Sequence, residues 1–171
     1  MRAAKIKASI HKTINAYKSK LSAYADEVFQ QQPPIGGWSY SEVYSHIFDS
    51  SLLSLRALDH AAKSKGEDKP TALAVRLILL LGILPPGQFK VPKKLADRVK
   101  KISKTEALDL ILAFEEALDE NYTSVASATA HSKIKHPRLG YLNAKQWLRF
   151  IEIHLEHHLK QLERIEKSFR A

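Results

Sequence analysis

Residues 143–165, read NAKQWLRFIEIHLEHHLKQLERI, decide how the rest of this sequence is interpreted. At 100° per residue, one narrow stripe of this segment collects apolar side chains and two histidines, while charged side chains lie opposite. The histidines, His154 and His158, are one helical turn apart and point the same way. Such a pair is either a set of core histidines satisfied by neighbours or half of a metal site. This segment alone leaves both interpretations open.

Three further segments have the periodicity of long helices, at about residues 4–30, 39–63 and 103–125. Capping boxes mark the starts of the later helices: Ser39 with Glu42, Ser103 with Glu106, and Asn143 with Gln146. No segment shows the alternation expected of a strand. The sequence therefore predicts an all-α protein, with residues 1–171 as a single domain.

Residues 66–102 are predicted to form a long crossover insertion that contains one short apolar helix at 71–83. A connection of this length can return the chain to the other end of a bundle, so that the second and third helices run parallel. The predicted topology is an up-down-down-up four-helix bundle. The cations late in the insertion are interpreted as either a solvated surface or an anion-facing rim: Lys90, Lys93, Lys94, Arg98, Lys100 and Lys101.

The composition narrows the class of function. A chain of 171 residues with 44% hydrophobic and 26% charged residues is typical of a soluble globular domain. Its net charge of +9 would suit a binder of nucleic acid or of an anionic surface. The basic residues are scattered along helix faces, however, so nucleic acid is not the expected partner. The absence of cysteine excludes disulfides, thiolate metal sites and cysteine nucleophiles.

Two segments of the sequence bear on cellular location and membrane association. The most apolar stretch, residues 72–84, contains Arg76 and is shorter than the roughly 20 apolar residues needed to span a bilayer. It is expected to be a buried or interface helix. The first residues, MRAAKIKASIHK, lack the apolar core of a secretory signal. We therefore expect a cytoplasmic protein without a membrane partner.

His46 is the best candidate for a third metal ligand. If the second and fourth helices are antiparallel, His46 lies roughly 10 Å from its helix start and His158 roughly 15 Å from its helix end, which are comparable depths. Three imidazoles would leave a fourth position open for water or substrate, as in catalytic zinc sites. Without cysteine, imidazole suits zinc, nickel, copper or iron.

Several polar residues near these histidines are weighed as orienting groups. Asp49, Glu42 and Gln161 each lie about one turn from a candidate ligand and could accept its second N–H, although ordinary helix-surface polarity is the alternative. Asp49 is favoured among the three. His157 lies at the edge of the stripe and is ranked below its neighbours. The remaining histidines of interest are treated as structural or exposed: His60, His131 and His136.

Residues 38–46, WSYSEVYSH, followed more than 100 residues later by His154-x-x-x-His158 in a late helix, resemble the DinB-like superfamily. Residues 136–165 are similar to an uncharacterised branch of it. The resemblance implies a four-helix bundle with a long second connection that is commonly dimeric, so a homodimer is expected. It also implies a three-histidine divalent metal site at His46, His154 and His158, with zinc expected first and nickel or iron as alternatives.

Characterised members of the resembled superfamily include thiol-dependent S-transferases that use bacillithiol, mycothiol or glutathione, and a maleylpyruvate isomerase. The resemblance therefore implies a thiol-dependent S-transferase or a related metal-dependent enzyme. A low-molecular-weight thiol and a small-molecule substrate would then be partners. A metal-dependent hydrolase is the first alternative, since it needs the same open coordination position. A non-enzymatic basic binding module, for example for nucleic acid, is the second.

Overall fold

The computed structural model describes residues 3–84 and 97–170, which form six helices and two short strands. The four long helices and two short ones are α1 (Ala3–Ala23), α2 (Asp26–Phe29), α3 (Tyr40–Ala62), α4 (Leu73–Leu81), α5 (Lys104–Val125) and α6 (Ala144–Arg170). The strands are β1 (Ile134–His136) and β2 (Gly140–Leu142). No helix among the described residues is long and apolar enough to span a membrane.

Helices α1 and α6 run parallel. Near the middle of α1, the Tyr17 hydroxyl donates a hydrogen bond of 2.8 Å to the carbonyl oxygen of Leu155. One turn further along α1, Lys20 pairs with Glu166 at 2.7 Å, which is further along α6 as well. Because the second contact lies further along both helices than the first, α1 and α6 are parallel.

Helices α3 and α5 also run parallel. The Ser41 hydroxyl, at the start of α3, donates to the carbonyl oxygen of Ile102, just before α5, at 2.7 Å. Further along both helices, the rings of Phe48 and Phe114 lie 5.9 Å apart. The crossover between the two helices therefore returns the chain to the starting end, as its length predicted.

Helices α3 and α6 are antiparallel. Tyr40, the first residue of α3, packs on Phe169 near the end of α6, with 5.7 Å between ring centroids. One and a half turns into α3, His46 meets His158 at 4.9 Å. The predicted up-down-down-up four-helix bundle is confirmed.

Three capping boxes begin α3, α5 and α6 where the sequence predicted them, and at α6 the side-chain oxygens of Asn143 and Gln146 each accept from the backbone N–H of the other residue at 3.0 Å. The Ser39 hydroxyl accepts from the backbone N–H of Glu42, and the Glu42 carboxylate accepts from the N–H of Ser39 at 2.9 Å. Ser103 and Glu106 repeat the arrangement at α5. Each box satisfies backbone donors that the first turn of a helix leaves free. Because one box lies seven residues before His46, it fixes where that side chain enters the bundle.

The prediction of one continuous first helix to about residue 30 was wrong. Helix α1 ends at Ala23, and Ala25 has an extended backbone with φ −67° and ψ 143° before the single turn of α2. The break turns Phe29 inward, where it is 1% exposed and packs against Tyr44 at 5.7 Å. The free energy gained by burying this aromatic ring outweighs the free energy lost by interrupting the helix.

The prediction of no strands was also wrong. β1 and β2 form an antiparallel hairpin in which Ile134 pairs with Leu142 and His136 with Gly140. Gly140 has a φ of 71°, a left-handed conformation that glycine adopts at little cost and that turns the chain sharply. The hairpin ends directly before α6 and therefore aligns the start of that helix.

The crossover insertion is described in part. Its short helix is α4, two residues shorter at each end than predicted. Arg98 lies in its final segment and forms a bidentate ion pair with Asp49 of α3, at 2.5 and 2.6 Å. The predicted cations Lys90, Lys93 and Lys94 lie outside the described residues.

Candidate metal centre

The structure brings together the three histidines that the sequence selected. α3 contributes His46, and α6 contributes His154 and His158 from successive turns. Each offers a ring nitrogen, and these three atoms lie within 4.8 Å of one another. A search of the described residues for three or more potential metal ligands this close together finds these three histidines. The antiparallel pairing of α3 and α6 is what places the rings at the same depth.

The rings surround a common point from different directions. The ring centroid of His46 lies 5.5 Å from that of His154 and 4.9 Å from that of His158, and both pairs are steeply inclined. His154 and His158 lie 4.7 Å apart, with an interplanar angle of 79° and their Nε2 atoms separated by 3.1 Å. Their Nε2 atoms therefore converge, which a shared ligand requires.

Burial keeps the three imidazoles neutral at physiological pH. It lowers the pKa of His46 to about 4, against which the charge of nearby Asp49 acts weakly in the opposite direction. It also lowers the pKa of His158 to about 3 and that of His154 well below its usual value, helped by repulsion from the neighbouring histidines. Neutral imidazoles have an available lone pair, so the cluster can donate to a cation without first losing protons.

Gln161 is the orienting group that the structure supplies, rather than the favoured Asp49. Its side-chain oxygen lies 2.8 Å from Nδ1 of His158. Because an amide oxygen can only accept, His158 must carry its proton on Nδ1, and the lone pair of Nε2 faces the other histidines. The carboxylates near His46 are engaged elsewhere: Asp49 with Arg98, and Glu42 with the start of α3.

Two aromatic rings line the cluster. Trp38, in the loop before α3, lies 4.9 Å from the ring of His46 and 6.4 Å from that of His158. Phe150 stacks on His154 at 5.2 Å with an angle of 19°. Phe150 precedes His154 by four residues on one helix, so its place was predictable from periodicity. The position of Trp38 was not, since a loop residue has no periodic face.

The other histidines lie outside the cluster. His157 contacts His158 at 5.2 Å between ring centroids, at the edge of the stripe as predicted. His131 is exposed and pairs with Asp68 at 3.1 Å, and His60 is exposed. His136 is structural: its Nδ1 accepts hydrogen bonds from two backbone N–H groups of the hairpin turn, at 3.0 and 3.1 Å. These contacts agree with the prediction that His60, His131 and His136 are structural or exposed.

Comparison with known proteins places this bundle in a family. The sequence matches the family model of the DinB superfamily over residues 9–162, which is most of the chain. The chain belongs to the DinB superfamily. This DinB-superfamily match includes α3 and, in α6, His154 and His158, so all three members of the cluster lie within it.

Individual relatives of this DinB-superfamily protein are distant. YuaE of Bacillus subtilis (strain 168), an uncharacterised protein, is 25% identical over 158 residues, covering 90% of this chain and 93% of YuaE. The crystal structure of TT2238, a four-helix bundle protein, is similar with a TM-score of 0.58 and 21% identity, covering 95% of this chain and 96% of the other. YfiT from Bacillus subtilis has a TM-score of 0.67 and 14% identity, with 98% and 87% covered. These two structures support the fold.

Proposed function

We propose that His46, His154 and His158 bind one divalent metal ion, and that the protein is a metal-dependent enzyme. The convergence of three neutral, buried ring nitrogens supports this most strongly. Burying three imidazoles together is unfavourable unless something uses their lone pairs. A bound cation gives those lone pairs a common partner.

The donor set fits a tetrahedral or five-coordinate ion with an open position. A zinc ion at about 2.0–2.1 Å from each nitrogen sets the nitrogens roughly 3.3 Å apart. The 3.1 Å between Nε2 of His154 and Nε2 of His158 is close to that spacing. Zinc is the first candidate, and nickel and iron also accept imidazole.

Elemental analysis of the purified protein, after dialysis against zinc and then metal-free buffer, tests the metal site. The wild type should retain about one zinc ion per chain, whereas His46→Ala and His154→Ala should retain far less. His131→Ala is the matched control, because its side chain is 78% exposed and outside the cluster. Equal retention by all four proteins would refute the site.

We propose thiol-dependent S-transfer as the reaction. When bound, a divalent metal lowers the pKa of a coordinated thiol and favours the thiolate nucleophile. The residues of this chain hold the metal, keep the lone pair of His158 aimed at it through Gln161, and border the site with Trp38 and Phe150. Such a reaction needs no free carboxylate as base, in accord with the engagement of Asp49 and Glu42.

Metal-dependent hydrolysis is the second candidate. It is favoured by the likeness to YfiT, which is described as a probable metal-dependent hydrolase and has the same kind of bundle. The metal-loaded protein should be screened against electrophiles and esters, each with and without bacillithiol, mycothiol or glutathione. Conjugation that requires a thiol supports S-transfer, and thiol-independent cleavage supports hydrolysis. Activity that persists in His154→Ala would contradict both.

A further inference from the structure

The apolar residues of α4 and the loop after it are unusually exposed. Five of the eight large hydrophobic side chains exposed in the described residues lie within this stretch. They are Leu73, Leu77, Leu80, Leu81 and Ile83, with exposed fractions of 70%, 49%, 73%, 69% and 66%. An exposed apolar patch of this kind marks a site of association with a protein or a membrane. We call these five residues the α4 stripe.

The α4 stripe is held facing away from the bundle. The opposite side of α4 carries Val75 and Leu79, each 8% exposed, which pack on the core. Nε of Arg149 in α6 donates to the carbonyl oxygen of Leu79 at 2.9 Å and secures the helix. The leucines at positions 73, 77, 80 and 81 share one face because helical neighbours recur every three or four residues. The stripe is therefore a fixed outer surface.

Cations flank this surface. A groove of about 330 Å³ runs between α1, α4 and α6, beside the stripe, and Leu80 belongs to both. The basic residues that line it are Arg76, Lys145 and Arg149, and its described lining contains no carboxylate. Arg149 is already paired with Glu152. Arg76 and Lys145 give the groove a net positive charge.

The combination of apolar face and cationic border selects an anionic partner. A second copy of the chain, packed across a two-fold axis, would bring two Arg76 side chains and two Lys145 side chains towards each other. Each copy also carries a net charge of +9, which adds to the repulsion between two copies facing each other at this surface. An anionic bilayer instead offers hydrocarbon to leucine side chains and phosphates to the cations beside them. Long basic side chains extend readily to that interface.

We propose that α4 docks the protein on the surface of anionic membranes. The α4 stripe enters the boundary between headgroups and acyl chains, while Arg76 and Lys145 lie at the level of the phosphates. The sequence predicts no membrane partner because residues 72–84 are too short to span a bilayer. The association proposed here is peripheral and needs no spanning helix. It does not depend on the metal centre.

Vesicle co-sedimentation of the full chain tests the proposal. One set of vesicles contains equal amounts of phosphatidylglycerol and phosphatidylcholine, and the other contains phosphatidylcholine alone. We expect partitioning at least tenfold stronger to the anionic set at low salt, and a marked loss as ionic strength rises above about 0.1 M. Equal partitioning to both sets, or none to the anionic set, would overturn the proposal.

Paired variants separate the α4 stripe from general stickiness. Leu77→Ser with Leu80→Ser should lower partitioning at least tenfold, because two side chains lose their burial in hydrocarbon. The matched control is Leu108→Ser with Leu112→Ser, which removes exposed leucines of α5, 40% and 47% exposed, and should leave partitioning unchanged. Equal losses in both pairs would overturn the assignment to α4.

Charge variants and controls complete the test. Arg76→Gln and Lys145→Gln should each weaken partitioning about fivefold. Arg56→Gln, at an exposed position of α3 away from the groove, should not. Analytical ultracentrifugation distinguishes a second copy: dimers that the Leu77→Ser, Leu80→Ser protein loses would overturn the proposal. If the His154→Ala protein still partitions to the anionic vesicles, membrane binding by this surface is independent of the metal centre.

Discussion

Acidification from pH 7 to pH 5 should strongly destabilise the metal-free protein. The folded structure lowers the pKa of His46 and His136 to about 4 and that of His158 to about 3, in each case chiefly by burial. In the unfolded chain these imidazoles have a pKa near 6.5. Between the two values the unfolded state binds protons that the folded state does not, so stability falls as the pH falls.

The magnitude follows from the size of the shifts. At pH 5, an imidazole that is protonated in the unfolded chain and neutral in the folded one lowers the free energy of unfolding by about 2 kcal/mol. The pH is then about 1.5 units below the unfolded pKa of 6.5, and each unit corresponds to about 1.36 kcal/mol. Three such groups total roughly 6 kcal/mol, comparable with the whole stability of a typical domain of 5–15 kcal/mol. His154 acts in the same direction.

Urea unfolding at pH 7 and pH 5, with a chelator present, measures the effect. The informative quantity is the difference between the two pH values, since substitutions change absolute stability as well. His136→Asn should reduce that difference by about 2 kcal/mol, because it removes one of the buried imidazoles. His131→Asn, at an exposed position, should leave the difference unchanged.

Carboxylates do not confound this interval. Those with lowered pKa values lose their stabilising effect only as the pH falls below their ordinary values of 4.5 for glutamate and 3.8 for aspartate: Glu67, Glu106, Asp119 and Glu166. An unfolding free energy that is the same at pH 7 and pH 5 would refute the argument. It would mean that the imidazoles are protonated in the folded protein.

Three other substitutions have expected effects. Gln161→Leu should weaken zinc binding roughly 10–100-fold by removing the acceptor for His158, while Gln161→Glu should retain it; competition with a chromophoric chelator measures both, and equal affinity in the leucine variant would contradict the role. Tyr17→Phe should lower the free energy of urea unfolding by about 1 kcal/mol, since a buried hydrogen bond is lost while the carbonyl oxygen of Leu155 keeps its place in helix α6; an unchanged midpoint would count against this. Ser103→Ala should lower the free energy of unfolding by about 1 kcal/mol, because a helix cap is lost. If its effect is smaller than that of replacing an exposed serine in the middle of a helix by alanine, the cap is unimportant.

Local chemistry made much of the fold predictable. Spacing predicts the capping boxes at Ser39, Ser103 and Asn143, because each involves groups three residues apart. The position of His154 and His158 on one face follows from helical geometry. The length of the crossover was enough to predict parallel α3 and α5, because connection length constrains topology. With that topology, His46 was the histidine at a matching depth.

Features set by distant parts of the chain were harder to predict. The position of Asp49 one turn after His46 favours it as an orienting group, but its partner is Arg98, 49 residues away, and nothing near Asp49 in the sequence indicates that pairing. Gln161 was among the candidates, yet only side-chain directions distinguish it from Glu42. The hairpin was missed because three-residue strands carry too little alternation to recognise. Its pairing is stabilised by tertiary context instead.

The position of Trp38 gives the site an optical reporter. Its indole lies 4.9 Å from His46 and 6.4 Å from His158, and the chain contains two tryptophans in all. An ion held by the three imidazoles would therefore lie within a few ångströms of a fluorophore. Paramagnetic nickel should quench its emission, whereas zinc, which has a filled d shell, should change mainly the emission wavelength. A Trp147→Phe protein would leave Trp38 as the one indole, so metal exchange at the cluster becomes visible without any added dye.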